Sequence, residues 1–110
     1  MITLEPNAKQ LMLEALAVAC AEVGLYVGTD EPQNESYARA PVRLADWAVN
    51  DKGMAHAALE FLFSGPIGQI TGYFVVNGSG KTLFCENFAK PYDFSEFGGR
   101  FRVIPAITIS

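Results

Sequence analysis

The sequence predicts a mainly β protein, an antiparallel β-sandwich or jelly-roll-like, partly open barrel of about six strands with one N-terminal α-helix. Three observations carry that reading. Apolar residues step by three and four up to Gly24 and by two beyond it, so the helical period gives way to the strand period. The closing segment alternates, with Phe101, Val103, Ile107 and Ile109 on one face and Arg102, Thr108 and Ser110 on the other. Between them, the β-like runs ITGYFVV and TLFCENF flank a short Asn/Gly/Ser/Gly/Lys stretch, the local chemistry of a β-hairpin.

A chain of 110 residues is expected to form a single domain over 1–110, with an arm and helix in 1–24 and strands in 25–110. Ala8, Leu11, Met12, Ala15, Leu16 and Ala19 fall on one helical stripe, predicted to cap a sheet. Pro6 suits the first helical turn, where its missing N–H has no partner to lose. Gly24 is expected to stop the helix. Leu25 to Gly28 then reads as a short strand, and Thr29 to Ser36 as a polar loop. Ala40 to Val49 and Met54 to Ser64 are extended runs split by a turn at Asn50-Asp51-Lys52-Gly53. Ile67 to Val76 and Thr82 to Phe88 are the two arms of the hairpin, with Gly78 and Gly80 allowing the reversal. Neither a shaft repeat nor coiled-coil heptads are read in the chain.

The hairpin tip, NGSGKTL, imitates the end of a phosphate-binding P-loop. That motif needs a glycine where this chain has Val75, and it needs a helix after the lysine, where strand-favouring residues stand instead. Lys81 is therefore read as a soluble hairpin tip. The net charge of -4 and eight scattered basic residues argue against a nucleic-acid surface. No run approaches the roughly 18 apolar residues of a membrane span, so no membrane partner is expected. Leu11 to Cys20 mimics a signal-peptide core, but Glu5 and Glu14 contradict a basic flank and no cleavage is expected. Charged residues are 18% of the chain against roughly 25% in an ordinary soluble domain, which predicts apolar surface covered by other chains.

Chemistry-bearing residues are few. His56 is the one histidine, and no Cys or carboxylate spacing accompanies it, so no metal or other cofactor is expected. Cys20 and Cys85 read as two buried free thiols of a protein made in a reducing cytoplasm. Asp93 and Glu96 share one loop, which leaves a glycosidase carboxylate pair open, although no catalytic residue is expected. That loop, PYDFSEFGGRF from Pro91 to Phe101, mixes Tyr92, Phe94 and Phe97 with Asp93, Glu96 and Arg100, which suits either a protein contact or a hydrophobic plug. Tyr37 and Arg39, where the polar loop meets a strand, form a second candidate contact, with the Arg39 fork available to a carboxylate. A carbohydrate-binding module stacking sugars on Trp47 or Tyr73 is the competing class.

Taken in order, PNAKQLMLEAL, LYVGTDEP, SYARAPV, ITGYFVVNGSGKTLFCENF and GGRFRVIPAITIS resemble a family of small virion proteins of tailed bacteriophages, tail-fibre-like or minor structural. The likeness spans Pro6 to Ser110. It departs from the family pattern before the last strand, where a Gly-Asp turn is replaced by GGR. The resemblance implies a non-enzymatic β building block of the virion, made in the host cytoplasm. The expected post is a capsid cement or decoration protein on the major capsid protein, homo-oligomeric and possibly trimeric around a symmetry axis. The alternative post is a tail or tail-fibre component presenting loops to a receptor.

Overall fold

The computed structural model describes residues 2–109 and is mainly β, with one N-terminal helix and antiparallel sheets in a sandwich-like arrangement. Helix α1 (Pro6–Ala19) begins with Pro6 in its first turn, after Glu5 in extended conformation. It stops at Ala19, earlier than Gly24. Cys20 is already extended, its N–H closing the last turn onto the Leu16 carbonyl, and strand β1 (Cys20–Val27) starts there. Gly24 lies inside β1 for a different reason. A side chain on it would stand 2.2 Å from Cζ of Phe74, so the bare backbone lets the tip of that ring approach the strand.

The expected core stripe of α1 is turned the wrong way. The buried residues are Leu13 and Ala17, with Leu16 and Cys20 packed beside them, while Leu11, Met12, Ala15 and Ala19 face solvent. The helix is apolar nearly all round, so periodicity alone admits two rotations. Cys20 decides between them: it leads into β1 and packs against both cores, and Leu13, Leu16 and Ala17 lie on its side of the helix.

Nine strands are present among the described residues, because three extended runs each divide. Ala40 to Val49 becomes β2 (Ala40–Pro41), a 3-10 turn (Leu44–Asp46) and β3 (Trp47–Val49). The next run becomes β4 (Gly53–His56) and β5 (Leu59–Phe63), and the last becomes β8 (Gly99–Val103) and β9 (Ala106–Thr108). Between them run β6 (Gly68–Asn77) and β7 (Thr82–Phe94), a longer hairpin than the sequence suggests. Most of the presumed loop from Pro91 to Phe101 is thus strand.

The sheets order as β2-β1-β6-β7, β3-β4-β9 and β5-β8. Val23, Leu25, Ile70, Tyr73 and Val75 of the first pack on Phe61, Phe63, Phe101 and Val103 of the third, forming the larger core. Phe61 and Phe101 face one another directly across β5 and β8. The smaller core holds Leu13 and Ala17 of the helix against Trp47 and Met54, with Ile107 and Ile109 at its margin. The alternation seen in the sequence survives the break at Pro105, but its two halves serve different cores. No helix of the described residues is long and apolar enough to cross a membrane.

The hairpin tip is built by Asn77. Its backbone pairs with Gly80 and Lys81, and its side-chain oxygen accepts the N–H groups of Ser79 and Lys81 at 3.0 and 2.9 Å. Only Gly80 of the two tip glycines takes a left-handed φ, +80°. Val75, at the place of the missing P-loop glycine, is fully buried.

Candidate functional site

The residues of the candidate contact segregate into a bound network, a plug and an exposed tip. Tyr37 and Arg39 belong to the network. The Tyr37 hydroxyl accepts the Leu25 N–H at 3.0 Å and donates to the Glu31 carboxylate. Arg39 grips the same carboxylate with both prongs, Nε to Oε2 at 2.8 Å and Nη2 to Oε1 at 2.9 Å. Its guanidinium also lies 5.3 Å from the centre of the Phe74 ring, with Glu22 3.7 Å away. The fork expected to take a partner's carboxylate is therefore filled by Glu31 of the same chain.

The electrostatics follow from that geometry. The Arg39 hydrogen bonds hold the Glu31 carboxyl below its ordinary value of 4.5, helped by Tyr37 and opposed by burial. Burial and the adjacent carboxylate push Tyr37 well above the ordinary tyrosine range. Sequence reasoning missed Glu31. The available signal was its place in the polar loop, six residues before a tyrosine and eight before an arginine, with Pro32 and Asn34 turning the chain back between them.

The plug is Phe94. Its ring meets Phe63 at 5.1 Å and Phe101 at 6.0 Å and seals the end of the larger core. Tyr92 is intermediate in role: it packs on Phe101 at 5.0 Å and Phe88 at 5.3 Å yet remains 51% exposed. It reaches this position through a bulge, since Thr71 alone spans the interval on β6 that residues 88–91 fill on β7. Pro91 sits in that bulge on an edge strand, where its missing N–H breaks no ladder.

The tip is the turn between β7 and β8, carrying Glu96 and Phe97. Phe97 is 76% exposed. The turn is shaped by Asp93, whose carboxylate accepts both the backbone N–H and the hydroxyl of Ser95. Those two hydrogen bonds lower the Asp93 pKa, so it remains a carboxylate rather than the raised-pKa acid of a glycosidase pair. Arg100, the second residue of the return strand β8, is well exposed and lies 3.7 Å from Glu60. Arg100 and Tyr37 line one open cleft of about 490 Å³ with Ala38, Leu62 and Ser64, which joins the two candidate contacts. Tyr92 borders a different hollow, beside Glu86, Phe88 and Lys90.

The remaining candidates are structural. Trp47 and Tyr73 are buried and offer no stacking platform to a sugar. The Tyr73 hydroxyl accepts the Ala106 N–H at 3.3 Å, and burial pushes its pKa up to about 12. His56 is buried edge-on to Trp47; its Nε2 accepts the Arg43 N–H at 3.2 Å and its Nδ1–H donates to the Ala57 carbonyl at 2.7 Å, which fixes the neutral tautomer. The two thiols are free but not both buried. Cys85 is exposed, and Cys20 is half-buried, donating to the Leu16 carbonyl at 3.2 Å with its pKa raised by burial. Among the described residues no three His, Cys, Asp or Glu side chains gather as a metal ion needs. Neither a protein-family model, nor a curated protein, nor a solved structure matches the chain.

Proposed function

We propose that this chain is a non-enzymatic structural protein of a tailed-phage virion, a cement or decoration subunit that binds the outside of the major capsid protein and is itself homo-oligomeric. The observation that carries the proposal is the β7–β8 tip. Phe97 stands 76% exposed on a turn anchored beneath by Phe94 and shaped by the Asp93–Ser95 hydrogen bonds. A large aromatic ring left in water is a poor choice for stability alone and a good one for the anchor of an interface. Burying it contributes roughly 1.5–3 kcal/mol. Glu96 and Arg100 flank it as a polar rim, the usual surround of such an anchor. The resemblance to small phage virion proteins points to the same role.

Co-sedimentation with capsids that lack the protein tests this reading. The native chain should pellet with the particles, and Phe97→Ala should bind at least about tenfold more weakly, a loss of about 1.4 kcal/mol. Thermal stability should be unchanged in that variant, since an exposed side chain contributes within about 0.5 kcal/mol. Equal pelleting of the two proteins would remove the tip from the interface. Antibody label on tails instead of capsids would replace the cement post by the tail one.

A further inference from the structure

We propose that Asn77 is a self-modification site: in water the β6–β7 tip closes the Asn77 side chain onto the Gly78 nitrogen, expels ammonia and reopens as isoaspartate or aspartate. This is chemistry of the chain itself and does not depend on the virion reading above.

The Asn77-Gly78 pair supplies both reacting atoms, the side-chain carbonyl carbon Cγ of Asn77 and the backbone nitrogen of Gly78, whose bond closes a five-membered ring. Asn77 Oδ1 accepts the N–H groups of Ser79 and Lys81 at 3.0 and 2.9 Å. Two N–H donors on one carbonyl oxygen draw electron density from its carbon. They also stabilise the negative charge that gathers on the oxygen as a nucleophile adds, as an oxyanion hole does. The nucleophile is free. Among the described residues the Gly78 N–H donates to no acceptor, whereas the N–H groups of Asn77, Ser79, Gly80 and Lys81 are all engaged.

The turn itself does not call for glycine at position 78. Its φ is not left-handed, unlike that of Gly80, and nothing lies within 4 Å of where a Cβ would stand. A bare Cα serves the chemistry instead, since it leaves the nitrogen open to approach and the backbone free to rotate into the ring. Asn50 is the internal comparison. Its Oδ1 also accepts two backbone N–H groups, from Lys52 and Gly53 at 2.8 and 3.0 Å, but Asp51 follows it and puts a side chain beside the attacking nitrogen.

The steps balance with water as the only co-reactant. Hydroxide takes the Gly78 amide proton, the Gly78 nitrogen bonds to Cγ, and the Cγ–Nδ2 bond breaks, Nδ2 leaving as ammonia with a proton from water. Water then adds to either carbonyl of the ring imide. Opening at Cγ leaves aspartate, and opening at the main-chain carbonyl of Asn77 routes the backbone through Cγ as isoaspartate. No group is oxidised or reduced. Either product adds one negative charge to a chain of net charge -4. Isoaspartate also takes the Asn77 carbonyl out of the main chain, where it accepts the Gly80 N–H at 3.0 Å, so the tip loosens.

Incubation of the purified full chain in mildly alkaline buffer, followed by peptide mapping with mass spectrometry and an isoaspartate assay, tests the proposal. Amide-to-acid conversion should accumulate at Asn77 and not at Asn50, and it should speed up as pH rises. Gly78→Ala, which the φ and the open space accommodate, should keep the melting temperature and slow conversion about tenfold or more, a barrier higher by about 1.4 kcal/mol. The native sequence unfolded in guanidinium chloride at the same pH should convert at least about tenfold more slowly than the folded chain, because it lacks both donors on Oδ1. A folded chain whose Asn77 stays an amide would overturn the proposal. So would conversion in the unfolded chain or in a folded Gly78→Ala as fast as in the native protein.

Discussion

Glu31 holds two neighbours with one carboxylate: Tyr37 donates to Oε2, and Arg39 spans both oxygens. Because the folded protein lowers the Glu31 pKa below 4.5, the contribution is present above that ordinary value and is lost as pH falls through the folded-state value. Glu31→Gln should therefore lower the melting temperature at neutral pH. The deficit corresponds to about 1 kcal/mol or less, because the network is partly open to water. In melts taken at progressively lower pH, the gap between variant and native protein should close below pH 4.5, whereas a constant gap would show that the ion pair is not its source. Gly24 gives a second test at this scale. Gly24→Ala drives a methyl into the Phe74 ring and should cost about 1–3 kcal/mol in denaturant unfolding, although alanine is well tolerated in most extended segments.

At the scale of elements, the β6–β7 hairpin separates a tolerant position from a strained one. Lys81→Ala should change stability by about 0.5 kcal/mol or less. Gly80→Val should cost about 1–2 kcal/mol, because a branched side chain resists the left-handed conformation. Chemical denaturation of both variants checks the pair. The hairpin was legible in the sequence because its signals are local: a turn composition between two β-like runs. The helix rotation was not, since an apolar helix offers two faces and only the junction at Cys20 selects between them. Alternation identified Phe101, Val103, Ile107 and Ile109 as co-facial, and it could not reveal that Pro105 passes the chain from one sheet to another. Periodicity records which way a side chain points, while partner choice is set by contacts distant in sequence. The same limit hid Glu31 as the occupant of the Arg39 fork, and it left Phe94 and Phe97 undivided between buried plug and exposed contact.

The whole molecule is long, 50 × 26 × 22 Å, with a radius of gyration of 15.2 Å where a compact domain of this length has about 13 Å. Its two cores lie side by side and meet at Cys20 and Phe84, which pack against both. The larger core holds ten buried residues against four in the smaller one, among the described residues. Phe61→Ala or Phe101→Ala removes one ring of a directly opposed pair and should cost about 3–5 kcal/mol, enough to threaten a marginal domain. Elongation, an exposed aromatic tip and an outward apolar helix face motivate the proposed place in a phage particle. Mass spectrometry of purified virions tests that proposal most directly. The account predicts the protein in the particles at a fixed ratio to the major capsid protein, and its absence from particles, with the protein found free in the infected cell, would contradict it.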